Sequence, residues 1–150
     1  MRYALLLLPI LIAPLTQADD QSKTIFGSWV AGDAMYIAVP KDGASIHAFS
    51  TSTGRWTHLT LQSKLPTDAI PLVGGEMAVI QTKDTIYAIG SRMKKWVTLK
   101  LKNPGTNAVL SDSSVRVQDG RNMFLMAADS EHWEGVDLDT GSVLLPENGG

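Results

Sequence analysis

The chain is 150 residues long, has a formal net charge of −2 at pH 7 and contains no cysteine. This charge gives no reason to expect nucleic acid or an anionic membrane as a partner, because both attract basic surfaces. The lack of cysteine excludes disulfide bonds, thiolate metal sites and a lipid-modified N-terminal cysteine.

The first eighteen residues are typical of a secretory signal peptide. Arg2 is their only charged side chain, residues 5–12 form an apolar run interrupted by Pro9, and Ala18 ends the segment before two aspartates. The apolar run is shorter than the ~20 residues of a membrane-spanning helix. We therefore expect cleavage after Ala18, a mature domain of residues 19–150 without a membrane span, and a secreted or periplasmic location.

Three tryptophans mark an internal repeat in the mature domain. Trp56, Trp96 and Trp133 lie 40 and 37 residues apart. Relative to each tryptophan, the residue ten positions earlier is Ile or Met, the residue nine earlier is aromatic or His, and those three and five later are aliphatic. The repeats span about residues 25–64, 68–104 and 106–145.

Each repeat is predicted to contain four short antiparallel strands. The recognisable strand segments, in chain order, are residues 28–30, 45–49, 56–61, 70–73, 77–81, 85–89, 96–101, 108–110, 122–126 and 133–138. Asp42-Gly43 and Asp119-Gly120 stand between apolar runs, which is a strong hairpin signal. The second and third strands are apolar on both faces and the fourth on one face only, as in a propeller blade ordered from buried to exposed strands.

The segment around Trp56 resembles the end of a kelch-type β-propeller repeat. The resemblance is carried by Phe49, the run Thr53-Gly54-Arg55-Trp56 and Leu59, and more weakly by Lys95-Trp96 and Leu99. It covers about residues 25–145 and implies binding through loops and blade faces rather than one particular activity. In kelch repeats a glycine pair usually ends the second strand, whereas Gly74-Gly75 precedes it here.

The presence of three repeats does not determine how the fold closes. Propellers typically close with 4–8 blades, so two chains could pair into a six-bladed ring, or three blades could remain an open array. A β-trefoil also has three four-stranded repeats and closes within one chain. We predict three four-stranded antiparallel propeller-type blades, as a half propeller or open array, with the β-trefoil as the alternative.

Acidic residues recur in the first turn of every repeat and are the candidate binding residues: Asp33, Glu76 and Asp112. A radial arrangement would bring them into a ring able to bind a cation or polar ligand. The simpler interpretation is turn chemistry, because Asp beside Gly favours tight turns. Trp56, Trp96 and Trp133 are predicted to anchor one repeat against the next.

The three histidines give no catalytic or metal-binding pattern. His47, His58 and His132 occupy non-equivalent repeat positions without metal-ligand spacing. No catalytic residue, metal or cofactor is therefore predicted. The expected function is an exported, non-enzymatic interaction module for a protein or glycan partner, as a homodimer completing a six-bladed ring. The alternatives are a carbohydrate-binding β-trefoil and, in third place, a hydrolase or lyase.

Overall fold

A computed structural model describes residues 25–146, and these residues form three antiparallel sheets without an α-helix. The first sheet consists of β1 (Ser28–Ala31), β2 (Met35–Val39), β3 (Ser45–Ser50) and β4 (Arg55–Thr60). The second consists of β5 (Ile70–Val73), β6 (Met77–Gln81), β7 (Thr85–Gly90) and β8 (Val97–Lys100). The third consists of β9 (Ala108–Leu110), β10 (Ser114–Asp119), β11 (Asn122–Ala127), β12 (Glu134–Asp137) and β13 (Val143–Leu144).

Every sheet is a meander in which strands adjacent in the chain pair with one another. The prediction of three blade-like antiparallel sheets is confirmed. The β-trefoil alternative is wrong, because the strands pair only within their own sheet and do not close into a barrel. The predicted signal peptide, residues 1–18, lies outside the described residues. Within the described range, no helix has the length and apolar character needed to cross a membrane.

The Asp-Gly pairs form the predicted hairpins. Gly43 joins β2 to β3 with a φ of 64°, and Gly120 joins β10 to β11 with a φ of 63°. Glycine adopts this left-handed backbone region without the steric cost that other residues meet there. The turn positions therefore fix the register of both hairpins.

The third sheet differs from the prediction by its fifth strand, β13. The backbone amides of Asp139 and Thr140 donate to Asp137 Oδ1 at 2.9 and 3.2 Å, and Gly141 follows with a φ of 71°. This side-chain-stabilised turn reverses the chain, so that Val143 pairs with Val136 of β12. The extra strand covers the outer edge of the third sheet.

Only the middle sheet is covered on both faces. All five residues of β6 are buried, whereas buried and exposed positions alternate along β10 in the third sheet. In the first sheet, β2 likewise turns only one face to the core. Among the described residues, burial on both faces of the second and third strands, which their apolar patterns predict, is therefore found only in the second repeat. The outer sheets each have one neighbour among the described residues.

The sheets approach one another closely at the turns that follow the first strand of each repeat. A Cβ atom at Gly32 would lie 2.6 Å from the carbonyl oxygen of Gly74, and one at Gly74 would lie 2.9 Å from that of Ser111. Glycine is needed at both positions because a Cβ atom there would clash with a backbone carbonyl oxygen of the neighbouring sheet. Ser111 holds the same turn position in the third repeat, where the described chain places no further sheet.

Candidate functional site

The turns that carry the candidate acidic residues lie side by side at one end of the stacked sheets. The backbone amide of Glu76 donates to the carbonyl oxygen of Asp112 at 2.6 Å. The turn hydrogen bonds from Gly32 to Met35, Gly74 to Met77 and Ser111 to Ser114 place the three turns in register. In that register, Asp33 and Asp112 are equivalent to Gly75, and Glu76 lies one residue further along.

The acidic side chains do not converge. Among residues 25–146, no three His, Asp or Glu side chains are grouped so that they could hold a metal ion. Glu76 instead lines a pocket of about 250 Å³ between the second and third sheets, together with Ser91, Arg92 and Asp129. Within the described part of the chain, the buried Ser91 hydroxyl has no hydrogen-bond partner. This pocket contains one of the three candidate residues, with Asp33 and Asp112 outside it.

The outer face of the first sheet carries a row of aromatic side chains that crosses all four strands. The ring centroids are separated by 6.1 Å from Trp29 to Tyr36, 6.2 Å from Tyr36 to Phe49 and 5.3 Å from Phe49 to Trp56. Trp29 is 68% exposed and Trp56 is 58% exposed. The interplanar angles of 43°, 63° and 52° tilt each ring relative to the next. We call this surface the aromatic face.

Two histidines continue the aromatic face. His47 on β3 lies directly opposite His58 on β4, and their rings stack with centroids 5.9 Å apart. The Ser45 hydroxyl is 3.0 Å from His47 Nε2. His132 lies elsewhere, with its Nε2 atom 3.3 Å from Glu134 Oε1. The structure therefore brings two of the three histidines together on one surface.

The three repeat tryptophans have the same place in the repeat but different surroundings. Trp96 is buried and its indole N–H donates to the carbonyl oxygen of Thr57 in the first sheet at 3.4 Å. Trp133 is buried almost completely, and Trp56 belongs to the exposed aromatic face. The tryptophan of each repeat thus points toward the preceding sheet, and Trp56 has no preceding sheet in the described chain.

A larger groove, of about 430 Å³, opens between the outer strands β4 and β8. We call it the outer groove. Leu59 and Leu61 line it from the first sheet, and Tyr87 and Trp96 line it from the second. Its polar lining consists of Thr60, Gln62, Ser63, Lys95, Thr98, Lys100 and Glu131. The groove combines an apolar wall with hydroxyl, amide and charged groups, as small-ligand sites commonly do.

Comparison with models of known protein families and with curated proteins gives no match.

Hydrogen bonding and burial shift the pKa values of two residues beside the outer groove, Asp84 and Tyr87. The Thr85 hydroxyl donates to Asp84 Oδ1 at 2.8 Å, which is the main reason why the pKa of Asp84 lies below its ordinary value of 3.8. The Thr82 hydroxyl and the Lys100 ammonium lower it further. Burial raises the pKa of Tyr87, with a smaller contribution from the Asp84 carboxylate. The Tyr87 hydroxyl is therefore a hydrogen-bond donor at neutral pH.

Replacing Thr85 with valine is expected to raise the pKa of Asp84 toward 3.8, because the variant lacks the donating hydroxyl. A carboxylate with a lowered folded-state pKa stabilises the fold above its unfolded-state pKa. It loses that contribution as the pH falls through the folded-state value. The variant should therefore show a smaller loss of stability on acidification below about pH 4. An NMR titration of the side-chain carboxyl carbons measures the shift directly.

Asp137 provides the internal reference for that titration. Burial would raise its pKa, but the backbone amides of Asp139 and Thr140 and the Arg121 guanidinium hold it below the ordinary value. Arg121 Nε lies 3.0 Å from Asp137 Oδ2. None of these groups contacts Thr85, so a shift of both carboxyl groups in the variant would point to a global change of fold and contradict the local explanation.

The aromatic face and the outer groove were not identified from the sequence. Trp29 lies outside the repeat register, and Phe49 and Trp56 were assigned to the kelch-like segment. A usable signal was present, since Tyr36, Phe49 and Trp56 stand at positions that other repeats fill with aliphatic, small or buried side chains. Sequence alone does not say which sheet lies at the end of the stack.

Proposed function

We propose that the protein is an exported, non-enzymatic binding module that docks a second copy of itself on the aromatic face. The observation that carries this proposal is the exposure of repeat positions that are buried in the other sheets. Phe49 is partly exposed, whereas its equivalents Ile89 and Met126 are each 1% exposed. Trp56 and Trp96 differ in the same way. The aromatic face thus has the character of an interface surface.

Export and a binding role have support in the sequence. The pattern of Arg2, the apolar run at residues 5–12 and Ala18 favours secretion. The resemblance of the Phe49–Leu59 segment to kelch-type repeats implies binding through loops and blade faces. The finer assignment to a kelch-like family is part of this proposal.

The opposite end of the stack has a different chemistry. On the outer face of the third sheet, β10 presents Arg116 and Gln118 to solvent. The equivalent residues of β2, Ile37 and Val39, are buried against the second sheet. Val109 and Leu125 lie beside Arg116 on this face, so it mixes charged and polar side chains with exposed apolar ones. The six-bladed ring would require this face, including the charged Arg116, to pack on the aromatic face of the partner chain.

These features favour an isologous dimer, in which two aromatic faces meet around a two-fold axis. The rings are tilted at 43° to 63° and do not form the flat platform that stacks on a sugar. Tilted rings leave gaps that side chains of an opposing sheet can fill, as in packed sheets. A four-stranded face about 17 Å long and about 15 Å wide belongs to the small-interface class, so we expect a micromolar Kd.

Light scattering on the mature chain tests the proposal. At about 100 µM, above the Kd expected for a small interface, we expect a dimer. Replacing Trp29 and Trp56 together with serine should yield a monomer. The matched control replaces Val109 and Leu125, exposed apolar residues of the third sheet, with serine and should remain dimeric.

The two dimer arrangements give different results in that experiment. A six-bladed ring uses both end faces, so the Val109 and Leu125 variant would also become monomeric. An isologous dimer uses only the aromatic face and tolerates that variant. A wild-type protein that stays monomeric at the same concentration would contradict self-association through either face.

A further inference from the structure

The outer groove has features of a ligand site that is independent of the aromatic face. It lies on the other side of the first sheet, where β4 faces β8 of the second sheet. We propose that the outer groove binds an acidic saccharide, with a uronate as the recognised sugar unit.

The opening is specific to the first pair of sheets. Leu59, Leu61 and Tyr87 are partly exposed and line the groove. Their repeat equivalents between the second and third sheets are closed off, with Leu99 1%, Leu101 9% and Phe124 7% exposed. The same strand positions therefore build a packed interface in one place and an open groove in the other. Repeat geometry alone does not explain the groove.

The groove offers the two kinds of surface that a sugar ring requires. Leu59, Leu61 and the ring of Tyr87 form an apolar wall for the C–H face of the sugar. Gln62 and Ser63 supply donors and acceptors for hydroxyl groups at the rim. Tyr87 adds a hydroxyl that its equivalent Phe124 lacks. A purely hydrophobic ligand would make no use of these polar groups.

The charge of the groove selects an acidic sugar. Lys95 and Lys100 line it together with one carboxylate, Glu131, so the lining is net positive on a chain of net charge −2. The Lys100 ammonium donates to the Thr85 hydroxyl at 3.0 Å. Within residues 25–146, the Lys95 ammonium has no hydrogen-bond or ion-pair partner. It is therefore free to pair with a carboxylate of the ligand.

Isothermal titration calorimetry with a linear trigalacturonate tests the proposal, with galactotriose as the neutral comparison. We expect trigalacturonate to bind at least about tenfold more tightly, with an affinity that falls as salt is added. A tetraglutamate peptide provides an anion of another class. Equal affinity for galactotriose, tighter binding of the peptide, or no trigalacturonate binding at millimolar concentration would overturn the proposal.

Two variants locate the site. Lys95→Met should weaken trigalacturonate binding about tenfold, because it removes a charge-assisted hydrogen bond. Tyr87→Phe should weaken it about threefold without disturbing packing, since Phe124 occupies the equivalent position. Lys94→Met is the matched control, as Lys94 is exposed and adjacent but does not line the groove. Equal weakening by Lys94→Met would show nonspecific attraction and contradict this site.

Discussion

Replacing Trp133 with alanine is expected to lower the free energy of unfolding by about 3–5 kcal/mol, the usual cost of deleting a large aromatic side chain from a core. The Trp133 side chain is only 1% exposed. Its indole N–H has no hydrogen-bond partner among residues 25–146, so the loss comes from packing and from the cavity that remains. The same replacement at Trp56 should cost about 1 kcal/mol or less, since that ring is 58% exposed.

The two variants form a matched pair because both tryptophans occupy the same place in the repeat. Urea unfolding, followed by circular dichroism at a protein concentration below the dimer Kd, compares them without a contribution from association. Equal losses at the two positions would mean that the third sheet does not pack on the second. The order of the sheets in the stack would then be wrong.

The strands themselves were predictable because their signals are local. Residues 70–73 and 77–81 were expected as strands and form β5 and β6 with the same bounds. The Asp42-Gly43 and Asp119-Gly120 pairs specify hairpin turns within a few residues of chain. Alternating apolar side chains then decide which face of each strand points to the core.

The exposure of each sheet depends on its neighbours in space, and this information is not local. Trp56 and Trp133 occupy the same position in their repeats. Among the described residues, only Trp133 has a preceding sheet to pack against. The replacement of Ile37 by Arg116 in the third repeat does indicate a solvent-facing end. The open face of the first sheet consists mainly of aromatic rings and the histidines His47 and His58, and carries no such arginine.

The candidate binding residues were harder to predict for a related reason. Asp33, Glu76 and Asp112 were grouped because each follows the first strand of its repeat. The turn hydrogen bonds show that Glu76 is displaced by one residue from the other two. A shift of one position changes the direction of a side chain, so a common motif in sequence does not become a ring in space.

Gly90 is the residue where the stacked arrangement leaves least room for a side chain. A Cβ atom there would overlap the carbonyl oxygen of Ala128 and lie 2.5 Å from its carbonyl carbon and 2.7 Å from its Cα atom. All three atoms belong to the backbone of Ala128, directly after β11 of the third sheet, so no side-chain rotation relieves the contact. Replacing Gly90 with alanine is expected to destabilise the fold by about 3 kcal/mol, at the upper end of overpacking costs.

The direction in which Gly90→Ala changes the stability makes the experiment informative. A glycine-to-alanine change in a strand with room for the methyl group stabilises a protein by about 0.4–1 kcal/mol, because the unfolded chain loses conformational freedom. Ala127→Val adds atoms at the equivalent position of the third sheet, which is exposed, and should change the stability by less than about 0.5 kcal/mol. If urea unfolding showed Gly90→Ala to be neutral or stabilising, the second and third sheets would have to lie further apart than the backbone contact at Ala128 requires.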